Sequence, residues 1–340
     1  MEKDICILGI ETSCDDTCAS VVLNGNKILS NVVASQNEIH AKYGGIVPEL
    51  ASRKHIEVID VIIKEALSQA GIGFENLNAV SVTNRPGLVG SLLVGAGAAK
   101  AIAYAKKIPL IGVNHLKAHL FSNFLVNPEK DSKYIGLIVS GGHSSIFIIE
   151  ARRDFYNIRQ IGHTVDDAAG EAFDKIARFL DLGYPGGPVI DRLAKKGNPA
   201  VIDIPRPMLK TGDFNFSFSG LKTSIIYKTK KEPELLHTGN VPDLVASFQE
   251  AVVDVLVEKT VMACKSYKCG RILVSGGVAA NSRLREVFSR RASAENLEFN
   301  VPPLQLCVDN AAMVACLGYY EYKQGNFSGM DMEVYSKSDL

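Results

Sequence analysis

The sequence predicts an α/β protein of two lobes, and three observations carry that prediction. The chain has 340 residues, more than a single ordinary core accommodates. Hydrophobic residues make up 46% of it, enough for well-buried cores. The order strand, turn, strand, strand, helix occurs twice, with no low-complexity linker between the copies. Little residue identity joins the two copies, so the repeat is one of topology. Two β-rich lobes with a cleft between them follow from this. The expected lobes are residues 1–118 with 310–340, and residues 119–309.

The elements read as follows. Ile5 to Ile10 is an apolar strand, and Glu11-Thr12-Ser13-Cys14-Asp15-Asp16 is a small, polar turn. Ala19 to Leu23 and Ile28 to Ala34 are the next two strands. A long amphipathic helix runs from Pro48 to Ala70, with proline in its first turn and Gly71 as its stop. Val58, Ile59, Ile62, Ile63 and Leu67 supply enough apolar surface for a core face and a partner face. Val80 to Thr83 is a buried strand, Gly87 to Ala105 a glycine- and alanine-rich helix, and Leu110 to Val113 another strand. The second copy begins with Tyr134 to Ser140, the turn Gly141-Gly142-His143, Ser145 to Ile149, and Tyr156 to Ile161. A helix follows near Asp166, where Asp166 and Asp167 suit capping and the positive end of the dipole. Asp174 lies beyond that first turn. Tyr184-Pro185-Gly186-Gly187-Pro188 reads as a rigid loop. The chain closes with a long helix from Val241 to Ser266, a strand Arg271 to Ser275, a helix from Asn281 and a last helix from Asn310 to Tyr322.

Composition narrows the function. The 37 basic and 37 acidic residues cancel, so a polyanionic partner must meet a local basic patch. Two candidates are Arg152, Arg153 and Arg159, and Lys228, Lys230 and Lys231. No apolar run reaches membrane-spanning length, and the start Met1-Glu2-Lys3-Asp4-Ile5-Cys6 is not that of a signal peptide. Seven scattered cysteines without CxxC spacing fit a reducing cytoplasm.

The chemistry begins with His115 and His119. At i and i+4 on a helix, both imidazoles share a face and can grip one metal ion. The helical His pair of metalloproteases has a glutamate beside the first histidine as general base; here Leu116 and Lys117 follow His115. Three small-residue turns each follow a strand: Glu11-Thr12-Ser13, Ser140-Gly141-Gly142-His143 and Ser275-Gly276-Gly277-Val278. Such turns let backbone approach a phosphate and aim amides at it. Neither a Walker A pattern nor a Rossmann fingerprint is present. Asp309, before the last helix, is a reasonable N-cap and also a carboxylate able to complete a metal site.

Together these motifs resemble the TsaD family, once called Gcp glycoproteases. The resemblance rests on Ile10-Glu11-Thr12-Ser13-Cys14-Asp15-Asp16-Thr17, Gly44 to Arg53, Pro86 to Gly90, the His pair and Val139 to His143. It continues through Asp166 to Lys175, Tyr184 to Pro188, Phe216 to Thr223, Gly276 to Asn281 and Asp309-Asn310. It implies the actin/Hsp70/sugar-kinase-like (ASKHA) fold, two lobes around a central nucleotide cleft. The implied activity moves threonylcarbamoyl from threonylcarbamoyl-AMP to N6 of the adenosine 3′ of the anticodon in tRNAs reading ANN codons. By the same resemblance His115, His119 and Asp309 hold one divalent ion, iron or zinc. Ile138, Val139, Ser140, Gly141, Gly142, Asp174, Gly187, Asp191 and Asn281 bind the adenylate, and ATP or AMP suits the same cleft. The implied partners are tRNA, a paralogous ASKHA-fold subunit and a small P-loop ATPase. The chain departs from the family pattern at Arg85, where glycine is expected, and it ends Tyr335-Ser336-Lys337-Ser338-Asp339-Leu340 without an Arg/Trp-rich tail.

The physical chemistry is compatible with that activity. An adenosine exocyclic amine is a poor nucleophile, so the carbonyl must be activated and held in line. Glu11 and His143 are the candidates for removing the amine proton. The rival readings are a metalloprotease, which lacks its glutamate here, and a small-molecule kinase of the same superfamily, which leaves the metal triad idle. A chaperone ATPase of that superfamily would need a substrate-binding domain for which the sequence has no room.

Overall fold

A computed structural model describes residues 4–128, 131–152 and 155–337. Met1 to Lys3, Arg153 of one basic cluster, and residues 338–340 of the tail lie outside them.

In the first unit, β1 (Cys6–Glu11), β2 (Asp16–Leu23) and β3 (Lys27–Ser35) form an antiparallel meander. A short helix α1 (Asn37–Ala41) leads to α2 (Pro48–Ala70), which has proline in its first turn and ends at Gly71 with φ 68°. Then come β4 (Ala79–Arg85), α3 (Val89–Lys106), β5 (Leu110–Asn114) and α4 (His115–Phe121). The strands lie in the order β3-β2-β1-β4-β5, with β1, β4 and β5 parallel. Buried on both faces, β1 reads as one continuous apolar run up to Glu11.

The second sheet is built from β6 (Ser132–Val139), β7 (Ser144–Arg152) and β8 (Phe155–His163). The helices α5 (Ala169–Phe179), α6 (Gly186–Ala194), α7 (Ser219–Lys231) and α8 (Val241–Ser266) follow. Next come β9 (Arg271–Ser275), α9 (Ser282–Ala294) and β10 (Glu298–Asn300). The short α10 (Leu304–Cys307) and α11 (Ala311–Gln324) close the chain. This sheet runs β10-β9-β6-β7-β8, the order of the first sheet read from its other edge. The topological repeat seen in the sequence is therefore real at the level of strand order.

The chain divides into Met1–Ser132, Ala151–Asn157 and Val308–Leu340 on one hand, and Lys133–Glu150 and Ile158–Cys307 on the other. The expected boundary at 118/119 is displaced, and 308–309 move with it. The reason is α4, which crosses 118/119 and continues into an aromatic cluster. The Phe121 ring lies 5.1 Å from that of Tyr320 on α11, and Phe124 packs edge-on against Phe121. Nor do Arg152 and Arg159 share a unit, since 151–157 belong to the first. Arg159 lies over the Tyr267 ring of the second.

Each unit has its own core. In the first, α11 lies so close to β1 that a Cβ on Gly9 would stand 2.3 Å from the Ala311 carbonyl oxygen. In the second, α8 is buried along most of its length and packs with Phe173, Phe216 and Phe288. Four helices were not legible: the short α1 and α10, α6, which begins inside the Tyr184–Pro188 stretch read as a loop, and α7, which begins inside the Phe216–Thr223 motif. No helix among the described residues is long and apolar enough to cross a membrane. All seven cysteines are free thiols.

Candidate metal centre and substrate-binding turns

Three details of local structure place the His pair. Asn114 ends β5 and caps α4, its side-chain oxygen accepting the amides of Leu116 (2.9 Å) and Lys117 (3.1 Å). Helix therefore starts at His115 itself, and His119 comes one turn later on the same face. The cap of α11 is Asn310, whose Oδ1 accepts the Met313 amide at 3.0 Å. Asp309 is thus not the N-cap, which leaves its carboxylate for the histidines.

His119 Nε2 stands 3.1 Å from Asp309 Oδ1, and His115 Nε2 stands 3.6 Å from the same oxygen. The three ligand atoms lie within 4.8 Å of one another, and both histidines are buried. Ligand atoms about 2.1 Å from a tetrahedral ion are roughly 3.4 Å apart. The donor set therefore fits one divalent ion with little movement, and three protein ligands leave positions open, as in catalytic sites.

Glu11 supplies the support behind that set. It is fully buried at the end of β1. Its oxygens accept the Ser13 amide (2.5 Å), the Thr83 hydroxyl (2.5 Å) and His115 Nδ1 (3.0 Å). A carboxylate on Nδ1 selects the tautomer and aims Nε2 at the ligand position. Burial alone would lower the His115 pKa, but the facing Glu11 and Asp309 carboxylates outweigh it and push the imidazole up to about 9. Burial pushes the Glu11 carboxyl up, and the His115 charge with its hydrogen bonds brings it below the usual range. Both Glu11 oxygens are thus engaged, one of them with His115 Nδ1. Nothing in its local sequence reveals this, because its partner lies 104 positions away.

The same acidic surroundings act on Asp16. Burial, opposed by the Ser35 hydroxyl and reinforced by Asp309, Asp15 and Glu11, raises its carboxyl to about 7. A raised carboxyl favours the protonated folded state. Stability contributed by that proton is complete below about pH 4 and is lost as pH rises through 7. In chelator-treated protein, Asp16→Asn should therefore raise the melting temperature at pH 8 by a few degrees, about 1–2 kcal/mol after allowance for solvent. At pH 4 the gain should vanish; an equal gain at both pH values in thermal melts would refute this.

In the second unit, the expected adenylate residues lie at strand ends, turns and helix starts, except Asp174 and Asp191, which sit within α5 and α6. The β6–β7 turn is closed by the Ser140 amide donating to the His143 carbonyl (2.8 Å) and by the His143 amide donating to Ser140 Oγ (3.2 Å). Ile138 and Val139 are buried in β6 below it. A Cβ on Gly141, Gly142 or Gly187 would meet nothing, so packing does not demand glycine there. Gly276 is different: it has φ 92°, and a Cβ would stand 2.4 Å from the Val139 carbonyl oxygen. It holds the β9 turn against β6.

The acidic residues take roles the sequence did not disclose. Asp166 caps α7 rather than α5: Oδ1 accepts the Phe218 and Ser219 amides (2.8 and 3.2 Å), and Oδ2 the Ser217 and Ser219 hydroxyls (2.5 and 2.7 Å). The cap of α5 is Ala168, without a side-chain bond. Asp174 accepts the Gly186 amide at 2.7 Å and so ties α5 to the start of α6. Asp191 accepts the Ser282 hydroxyl at 2.8 Å. Asn281 caps α9 by accepting the Leu284 amide (2.9 Å) and donates to Gln249 Oε1 (2.7 Å). Ser282 and Gln249 were not singled out by the sequence. At the family-pattern departure, Arg85 lies where the β4–β5 register shifts.

The family model for tRNA N6-adenosine threonylcarbamoyltransferase, TsaD, matches residues 27–316. The chain is 50% identical over 331 residues to the tRNA N6-adenosine threonylcarbamoyltransferase of Geobacillus thermodenitrificans (strain NG80-2), covering 97% of this chain and 95% of that one. It is 48% identical over 334 residues to the protein of the same description from Clostridioides difficile (strain 630), covering 97% of each. Among solved structures, T. kodakarensis HypF matches with a TM-score of 0.63 at 14% identity, over 96% of this chain and 49% of that one. Component A of the Acidaminococcus fermentans (R)-2-hydroxyglutaryl-CoA dehydratase matches at 0.55 and 14%, over 94% and 99%. At such identity these two likenesses speak to fold alone, and they bear out the ASKHA fold class.

Proposed function

The chain belongs to the TsaD family of tRNA N6-adenosine threonylcarbamoyltransferases, and from that premise we propose how its own residues serve the transfer. The donor is threonylcarbamoyl-AMP, and the acceptor is N6 of the adenosine 3′ of the anticodon in tRNAs reading ANN codons. His115, His119 and Asp309 hold one divalent ion, iron or zinc. When bound, that ion supplies positive charge that polarises an oxygen of the donor. The observation that carries this reading is the triad itself, two Nε2 atoms converging on one Asp309 oxygen with Glu11 behind the first.

The rest is positioning by the chain. The backbone amides of Gly141 and Gly142, unobstructed by any side chain of their own, donate to the donor's phosphate oxygens, and AMP or ATP suits the same place. Asp174 and Asp191 keep α6 in place, so that Gly187 presents open backbone to the ligand. Asn281 fixes the start of α9 after the Gly276 turn. With Glu11 committed to His115, His143 is the better candidate for accepting the amine proton. Free thiols and a tRNA substrate fit a cytoplasmic site of action. Mass analysis of nucleosides from tRNA incubated with the protein and threonylcarbamoyl-AMP tests the reading. Threonylcarbamoyladenosine should form without ATP or free threonine; formation only when both are supplied would overturn the assigned donor.

A paralogous ASKHA-fold subunit and a small P-loop ATPase are the proposed partners. Of the five apolar residues named on α2, Ile59, Ile62, Ile63 and Leu67 pack into the core and Val58 is half-buried, while Ile56 (65% exposed) and Val61 (59%) face out. On the neighbouring α3, Leu93 is also exposed. Ile56→Glu with Leu93→Glu should abolish co-purification with the paralogous subunit and leave the melting temperature unchanged within about 2 °C. Intact co-purification would assign the partner to another surface.

A further inference from the structure

The helix α7 carries a surface that the transfer site does not use. It contains Lys222, Lys228, Lys230 and Lys231 and no carboxylate, so residues 219–231 carry four formal positive charges. Several arginines of this unit are neutralised by carboxylates: Arg283 bonds Glu250 and Glu286, Arg291 bonds Glu258 and Glu295, and Arg206 bonds Asp254. Among the described residues none of the four α7 lysines has an ion-pair partner, and the exposed Glu232 and Glu234 past the helix end engage none of them.

The helix also has a defined outer face. Leu221, Ile225 and Thr229 are buried, while Thr223, Tyr227, Lys230 and Lys231 form one exposed stripe. Tyr227 is 62% exposed in the middle of it. Asp166 grips the first turn through four hydrogen bonds, so the stripe stands on a firmly held helix. In a chain of zero net charge, unpaired cations on one helix are a local attractor for a polyanion. Lysines flanking an exposed aromatic ring are the combination that reads RNA with unpaired bases. The cations meet phosphates and the ring stacks on a base.

We propose that the outer face of α7 contacts the tRNA substrate, with Lys230 and Lys231 against backbone phosphates and Tyr227 stacked on an unpaired base. This rests on the tRNA-modifying reading above. The test is binding of unmodified tRNA to the full chain between about 50 and 200 mM salt. Replacing Lys230 and Lys231 by glutamine should make the slope of log affinity against log salt shallower by about 1–2. Tyr227→Ala should weaken binding roughly tenfold with the slope unchanged, and Tyr227→Phe should restore it. Wild-type affinity and slope in all variants would overturn the assignment to α7 while leaving the tRNA reading intact. Failure of the unaltered protein to bind tRNA at all would overturn both. Loss of an acidic protein partner with tRNA binding preserved would assign the helix to that partner instead.

Discussion

His119→Ala should leave a folded protein that has lost its metal and at least about a thousandfold of its transfer rate. His119 is 1% exposed and supplies one of three ligand atoms. Without it one imidazole and one carboxylate remain, too few to hold an ion against dilution. The fold should survive, because each unit has its own apolar core and none of the seven thiols or other ligand groups depends on the ion. The truncation leaves a small cavity at the end of α4, costing about 1–3 kcal/mol. Nucleotide binding should persist, since the Ser140–Gly142 and Gly276 turns share no residue with the triad. Elemental analysis, a thermal melt and a nucleotide titration on one preparation check all three statements. Full metal occupancy in the variant would refute the ligand assignment.

Glu11→Gln should weaken metal binding by about 10–100-fold while all three ligands remain. The amide has nearly the shape of the carboxylate and can still accept from Thr83 or His115. It loses the negative charge that holds His115 Nδ1 protonated and Nε2 aimed at Asp309. Transfer should fall with occupancy and recover when excess metal is supplied. That rescue separates a positioning role from a proton-accepting one, because extra metal cannot replace a missing base. An activity that stays low at full occupancy would return Glu11 to the chemical step.

The contrast between what could and could not be read in the sequence has a physical origin. Strands buried on both faces announce themselves as apolar runs, and α2 carries its start and stop signals locally, Pro48 in its first turn and Gly71 just past its end. The His pair is a local spacing and was legible for the same reason. α6 and α7 were not. The first turn of α6 is Gly186-Gly187-Pro188, and a Cβ on Gly186 would lie 2.7 Å from the Phe173 carbonyl oxygen, so its glycine answers to packing rather than to a turn. α7 is capped by Asp166 from more than fifty positions away, which no local window contains. Asp309 looked like the cap of α11, and only the coordinates show Asn310 doing that work. Partners outside the local window decided α6 and α7, and the neighbouring residue decided α11.

The account stands on one claim, that threonylcarbamoyl reaches tRNA through a site completed by His115, His119 and Asp309. The measurement that tests it most directly is the yield of threonylcarbamoyladenosine per tRNA, by nucleoside mass analysis, as metal-stripped protein is reloaded stepwise with iron or zinc in the presence of threonylcarbamoyl-AMP. The yield should rise in proportion to occupancy, saturate at one ion per chain, and stay near background for His119→Ala at every metal concentration. Equal yield from the stripped protein, or from His119→Ala, would contradict the account.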